Sequence, residues 1–568
     1  MLFYDFEVFK EDWLVVVLDM QAKKEHVIVN DRDKLSRLYL DHKDDIWVGF
    51  NSAHYDQYIL KGILAGFNPK QINDFIIKED QPGWKFSSLL RGFPLNNYDV
   101  MARTDRGLKT FEGFMGSMIK ESSIPFDIDR KLTPAEIAET IKYCRHDVEQ
   151  TIEVFLKRKS DFDAMMYFIK HFDYPLSYIS KTKAQLAAIM LGGNGKGQSF
   201  KDEFDFPILD CLRLKKYKHI ADWYKNPENQ DYSKSQKEIV AGVEHVFAWG
   251  GGHGARAKYH SSGIFILADV TAYYPSQQKQ FKFGYRVMDH PENFEFIHDS
   301  NIEFKKKGDK KARLPFKIFD NAISGQMKQQ SSKLYDPMSN NSICINGQLL
   351  LLDLIEHLEP YCELIQNNTD GILIKLRDYD DFDKVDDICY EWEKRTGMKL
   401  DFSQFFGEVF QKDVNNYLIV DHETGAVKSK GSYVKSLSDL DYDLPIVNKA
   451  ITDYMISGKP VSQTILECDA LKEFQQVKKI SGKYSYIQHG DKILNEKCVR
   501  VFASKNQCAG GLSKFSVRTG KLEKIESTPD HCFLYNDYIE GVKCPPELDK
   551  AWYIALARKR LNDFGVMI

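Results

Sequence analysis

Residues 266–276, ILADVTAYYPS, and residues 364–376, LIQNNTDGILIKL, decide how the middle of this 568-residue chain is read. The first is an apolar run that ends on an acid, Asp269, before a turn and Tyr-Tyr-Pro-Ser, so it reads as a strand with a carboxylate at its tip. The second is a pair of β-like runs joined by Asn-Asn-Thr-Asp-Gly, a tight-turn signal that places Asp370 between two strands of a hairpin. Two acids on adjacent strand tips suit a pair of divalent metal ions, which are hard cations and take oxygen ligands.

A second set of acids lies upstream. In FYDFEVF (3–9), Asp5 and Glu7 alternate, which on a strand puts both side chains on one face. Asp56 opens a helix in GFNSAHYDQYIL (49–60). In LTPAEIAETIKYCRHDVEQTIEVFLKR (132–158), Thr133 is the N-cap, Pro134 the first helical residue and Glu136 closes a capping box. Tyr143 and Asp147, four apart on that helix, share a face. Four carboxylates brought to one spot repel strongly unless cations stand between them, and a metal pair there activates water and stabilises the leaving oxygen of a phosphodiester. Strands are expected over Trp13–Leu18, His26–Val29 and Ile46–Phe50, a helix over Asp56–Leu64, and an α/β domain ending near residue 195 in the glycine-rich MLGGNGKGQSF. A second boundary falls near SLSDLDYDLP, and KKKGDKKAR reads as a basic, hairpin-like insertion.

Length argues for three or four domains. With 43% hydrophobic and 28% charged residues each domain can bury a core, and the net charge of −4 leaves nucleic-acid binding to local basic clusters. Ten cysteines without a Cys-x-x-Cys pair argue against zinc ribbons and disulfide frameworks. The acidic N-terminal stretch does not read as a secretion signal, and no run of about 18 apolar residues reads as a membrane span. A cytoplasmic location is expected.

As a set, Asp-x-Glu, Asn-x-x-x-Tyr-Asp and Tyr-x-x-x-Asp resemble the three exonuclease motifs of DEDD-type proofreading domains of the Tyr subtype, over residues 1–160. The resemblance implies Asp5, Glu7, Asp56 and Asp147 as metal ligands, Tyr143 orienting the attacking water, and Asn51 and Tyr55 holding the primer end. Lys120 is a further candidate phosphate contact. Downstream, ADVTAYYPS resembles motif A of family B DNA polymerases, KIFDNAISG their motif B, and NNTDG their motif C. AWGGGHGARAKY is similar to the aromatic-Gly-Gly element between exonuclease and palm, with Trp249, Gly250 and Gly251 expected to face DNA or join domains. NNYLIVDHETGAVKSKG is similar to the Lys-x-Tyr element that grips the primer, with Tyr417, Lys428 and Lys430 as candidate DNA contacts. The order is that of the family, and the likeness covers residues 1–435.

What it implies is a multidomain protein of α/β and α+β class. An RNase H-like exonuclease (1–195) precedes a right-hand polymerase: palm (196–276 and 336–405), fingers (277–335), and thumb with a C-terminal extension (406–568). Asp269 and Asp370 become ligands of both polymerase metals, with the Val270 carbonyl as an accessory ligand; Tyr274 stacks on the deoxyribose, Lys317 faces the triphosphate and Asn321 lines the nucleotide pocket. Arg313, four residues before Lys317, joins it on one helix face toward a polyphosphate. Two Mg2+ per site are implied, with Mn2+ as a substitute, and primer-template DNA and dNTPs as partners. A monomer of compact bacteriophage type is expected, working with phage or host replication factors.

The pattern is broken at Asn368, where motif C has Asp; at Ala322 and Ser324, where motif B has Ser and Tyr; and at Asn415, where the thumb element has Lys. Short intervals between the motifs argue against protein priming and for weak strand displacement. The rival reading is a 3′→5′ exonuclease whose polymerase half has become a DNA-binding platform.

Overall fold

The computed structural model describes residues 1–101 and 106–567. The chain is mixed α/β and forms two compact units, one of residues 1–181, 437–446 and 465–554, the other of 182–436, 447–464 and 555–568. None of the described helices is long and apolar enough to cross a membrane.

The first unit is built on β1 (Leu2–Val8), β2 (Trp13–Asp19), β3 (Lys24–Val29), β4 (Ile46–Gly49) and β5 (Asn96–Asp99), in the order β3-β2-β1-β4-β5. The first three pair antiparallel, and β4 and β5 run parallel to β1. Period-two alternation gives β1 two roles. Leu2, Tyr4, Phe6 and Val8 enter the core with Trp47, Ile59 and Ile63. Phe3 faces the other way, its ring 5.3 Å from that of Phe155 on the long helix Pro134–Lys157. Asp5 and Glu7 share the face of Phe3, so the strand aims its acids at that helix. The helix begins as its sequence dictates: Thr133 accepts from the Glu136 N–H, and the Glu136 side chain accepts from the Thr133 N–H.

The late segments of this unit add a three-stranded sheet (Gln476–Lys479, Cys498–Ala503, Cys532–Leu534) and a four-stranded one (Lys492–Ile493, Tyr484–His489, Leu512–Ser516, Leu522–Lys524). Arg500 ties them to the earlier part. It is fully buried, and its guanidinium donates to the carbonyls of Gly113, Ser117, Tyr535 and Asp537 at 2.8–3.1 Å. Four carbonyls offset the desolvation of one charge without a carboxylate.

The second unit is built on a nine-stranded antiparallel sheet. Its strands are β6 (Ser235–Val240), β7 (Val243–Ala248), β8 (Gly251–Ala255), β9 (Tyr259–Val270), β10 (Cys362–Asn367), β11 (Gly371–Leu376), β12 (Leu400–Asp413), β13 (Asn416–Asp421) and β14 (Val427–Lys430). They lie in the order β14-β13-β12-β9-β11-β10-β8-β7-β6. The helix Pro337–Leu358, buried along most of its length with polar residues in its first half and a leucine-rich second half, packs with Trp392 of the helix Phe382–Thr396 against one face of the sheet. The basic run KKKGDKKAR differs from expectation: it is no hairpin of strands but the junction of two helices, Pro291–Lys306 and Lys310–Ser324. Asp309 caps the second by accepting from the Ala312 N–H.

Candidate active sites

In the second unit, Asp269 ends β9 and Asp370 sits in the turn between β10 and β11. The strands lie so close that a Cβ on Gly371, the register partner of Asp269, would stand 2.4 Å from the Asp269 Oδ1. Glycine is therefore required there. The Val270 N–H donates to the Asp370 carbonyl at 2.7 Å, so the segments carrying the two acids are bonded directly. Beyond Val270 the chain turns through Ala272, at a left-handed φ of 45°, into the helix Tyr273–Phe281. The Lys428 ammonium on β14 donates to the Asp269 Oδ2 at 3.0 Å. Burial first, then the two carboxylates, push the Tyr417 hydroxyl up to about 12.

A cavity of about 640 Å³ opens beside Asp370, lined by Asn368, Thr369, Tyr274, Asn321 and Ser324. Gly250, Val270 and Lys430 also line it, as do Lys328 and Asn340, which the motifs did not single out. Burial raises the Tyr274 hydroxyl above its ordinary range. Other expected contacts are placed differently. Arg313 is turned to Asn301, donating from Nε to Oδ1 at 2.8 Å, and Lys317 lies exposed outside the cavity lining. Trp249 is only 2% exposed, packs among Phe204, Phe206 and Tyr224, and donates its indole N–H to the Asn229 carbonyl. Its ring is held by core packing, and the residue also belongs to the lining of the cavity beside Asp370. Within the basic run, Lys305 pairs with Asp401 and Lys307 with Glu303, so part of its charge is neutralised.

In the first unit, Asp5, Glu7, Asp56 and Asp147 converge. Glu7 and Asp56 are buried, and Asp147 is 13% exposed at its side chain. The Phe6 N–H donates to the Asp56 Oδ1 at 3.1 Å, fixing the start of the helix Asp56–Ala65 against β1. Burial, then the neighbouring carboxylates, raise Asp5 and Glu7 well above the ordinary range. Asp56 is pushed up to about 7, chiefly by burial. Asp147 is raised by burial and eased by Lys109.

Lys109 is the residue the sequence reading missed. Its ammonium lies 2.7 Å from the Asp147 Oδ1, 3.2 Å from the Glu112 Oε1 and 4.7 Å from the centre of the Tyr143 ring. Burial works against its charge, but Asp147 and Glu112 outweigh it and hold the lysine above its usual value. Glu112 is wholly buried, and its second oxygen has no hydrogen-bond partner, with the His146 Nε2 3.7 Å away. Glu112, His146 and Asp147 have the spacing of a metal triad, but the Lys109 ammonium already supplies the cation between Glu112 and Asp147. The Tyr143 hydroxyl donates to Glu121 at 3.3 Å. Asn51, at a left-handed φ of 61°, donates its N–H to the Asp99 Oδ1 at 2.8 Å, so Asp99 shapes this loop. The Tyr55 hydroxyl donates to Asn73 at 2.7 Å. Lys120 is turned away to an exposed ion pair with Asp537.

Both acid sets fit divalent cations. Their donors are hard carboxylate oxygens, the quartet is raised above ordinary carboxylates by burial and by its neighbouring charges, which a cation would offset, and a lysine stands against Asp269 where a cation is wanted.

No protein-family model and no curated protein matches the sequence. Among solved structures, the family B DNA polymerase from the hyperthermophilic archaeon Pyrobaculum calidifontis is similar to this chain at a TM-score of 0.40 and 13% identity, over 100% of this chain and 78% of that one. A likeness of that degree assigns no activity. The residues say this much: a mixed α/β protein of two units, the first with buried acids grouped closely enough to hold a metal ion, the second with Asp269 and Asp370 on neighbouring strand ends.

Proposed function

We propose that the chain is a template-directed DNA polymerase of family B type that extends a primer 3′-OH with dNTPs in its second unit. Its first unit, RNase H-like in strand order, trims the primer in the 3′→5′ direction. The observation that carries this reading is the pairing of Asp269 with Gly371, which brings Asp269 next to the turn of Asp370, itself in the lining of a cavity that also presents Tyr274 and Asn321. A chain that only trimmed would have no use for that cavity. Mg2+ bound by Asp269, Asp370 and the Val270 carbonyl would activate the primer hydroxyl and neutralise the triphosphate. Tyr274 then packs under the deoxyribose, where its ring leaves no room for a 2′-hydroxyl, and Asn321 and Lys328 face the nucleotide from the helix Lys310–Ser324 and the turn beyond it. Lys428, once displaced from Asp269, is free to meet a backbone phosphate. In the first unit Asp5, Glu7, Asp56 and Asp147 would hold Mg2+, Tyr143 orients the water, and Lys109 favours the charged form of Asp147 against its burial. The test is primer extension and 3′-end trimming of a labelled primer-template with Mg2+; a chain that only degrades the primer, whatever the dNTP supply, refutes the polymerase half.

Two further results are expected at the trimming site. Glu112→Gln keeps the side chain's size but frees Lys109 from one of its two carboxylates. Trimming is expected to fall about 10- to 100-fold, in kcat rather than KM, as for other groups that orient a metal ligand from behind; steady-state trimming kinetics check it. The second concerns protons. Because Asp5, Glu7 and Asp56 bind protons more tightly than ordinary carboxylates, with Asp56 near 7, metal must displace those protons at low pH. The Mg2+ concentration that half-saturates trimming is therefore expected to fall as pH rises from about 6 to about 8. A requirement that is flat across that range contradicts the assignment.

A further inference from the structure

The small four-stranded sheet of the first unit takes part in neither acid cluster, yet one of its faces is open. The strand register puts Tyr486, Phe515 and Leu522 in one row on that face, and Ile493, Gln488, Ser513 and Lys524 in the next. Tyr486 and Phe515 stack with ring centroids 5.1 Å apart and planes 11° apart, and both rings are partly exposed. Ile493 is 56% and Leu522 47% exposed. The opposite face is the buried one, where Ile487 and Leu512 join the core of this segment. The strands themselves place no carboxylate on the open face, since Glu523, across from Lys514, points to the other side and accepts from Tyr484; Asp530, from outside the sheet, pairs with Lys524 at the edge of the second row.

Its rim is cationic. The Val517 N–H donates to the Lys483 carbonyl, which sets Lys483 beside the turn holding Arg518 and Lys521. All three cations are exposed and make no ion pair among the described residues. Residues 483–524 hold nine lysines and arginines against three acids, in a chain whose net charge is −4. An apolar face alone would suit a protein partner. A two-ring platform with no acid on its own strands, edged by the unpaired cations Lys483, Arg518 and Lys521 inside an otherwise acidic chain, suits a polyanion whose units carry flat faces.

We infer that this face binds single-stranded DNA, with bases stacking on Phe515 and Tyr486 and phosphates meeting Lys483, Arg518 and Lys521. Duplex DNA keeps its bases stacked on one another and offers the rings nothing, so the surface discriminates for the unpaired strand. The inference concerns binding only and stands whether or not the chain extends or trims primers.

The test uses the full chain in EDTA, which prevents trimming, and fluorescence anisotropy with a labelled oligothymidylate of about 15 nucleotides. Tyr486→Ala with Phe515→Ala is expected to weaken single-strand binding about tenfold and duplex binding by less than about twofold, while Phe515→Trp retains affinity. Lys483→Ala with Arg518→Ala and Lys521→Ala is expected to flatten the salt dependence of single-strand binding. A bromodeoxyuridine oligonucleotide is expected to cross-link within residues 483–524. Unchanged single-strand affinity in the folded double variant, an equal loss on duplex, or cross-links only elsewhere would overturn the inference. The last would leave the face to a protein partner. Loss of extension and trimming in the wild type would refute the proposed enzyme without touching this result.

Discussion

Asp370→Asn is expected to abolish primer extension, by at least about a thousandfold, while leaving 3′-end trimming within about twofold of the wild type. The substitution keeps the shape of the turn and removes one charge. Asp370 is exposed, and the bond its backbone makes to Val270 does not involve the side chain, so the fold has little reason to respond. What is lost is electrostatic. With an amide in place of the carboxylate, Asp269 alone faces the incoming metal, and it already shares its charge with Lys428. A single-nucleotide extension time course with Mg2+, beside trimming of the same primer without dNTPs, measures both numbers. The acids proposed for trimming are held by β1, the helix Asp56–Ala65 and the helix Pro134–Lys157, none of which the substitution touches.

The converse is expected of Asp5→Ala combined with Glu7→Ala. Trimming should drop at least about a thousandfold, extension should persist, and misincorporated ends should survive in the products. The pair also makes a stability prediction of unusual sign. Both carboxyls bind protons more tightly in the folded chain than an ordinary carboxylate does, because they are buried beside one another and beside Asp56 and Asp147. Raised folded-state values mean that the native state is favoured below the ordinary carboxylate range and loses stability as pH rises above it. Removing the two groups removes that cost, so without metal the double variant should melt no lower than the wild type at neutral pH. Thermal unfolding in EDTA decides this.

Local signals made much of both sites legible. Alternation in FYDFEVF placed Asp5 and Glu7 on one face, the capping box fixed the start of the helix carrying Tyr143 and Asp147, and NNTDG marked the hairpin turn bearing Asp370. Distant pairings escaped. Lys109 and Glu112 lie in LKTFEGFM, where a buried lysine and glutamate look like an ordinary helical i, i+3 surface pair. Lys428 reaches Asp269 only because β13 and β12 lie between β14 and β9, an order no local pattern encodes. The motif around Trp249 does not announce the cluster of aromatic rings, contributed by residues 204–232, that holds it. The grouping of residues 465–554 with residues 1–181, fastened by Arg500, is likewise a contact between chain ends that periodicity cannot announce.

Extension and trimming assayed together on wild type, Asp370→Asn and the Asp5→Ala, Glu7→Ala double variant test most directly whether two independent acid centres serve two reactions. The expected pattern is crossed: Asp370→Asn trims without extending, and the double variant extends without trimming. Loss of both reactions from either folded variant, or of neither, would contradict it.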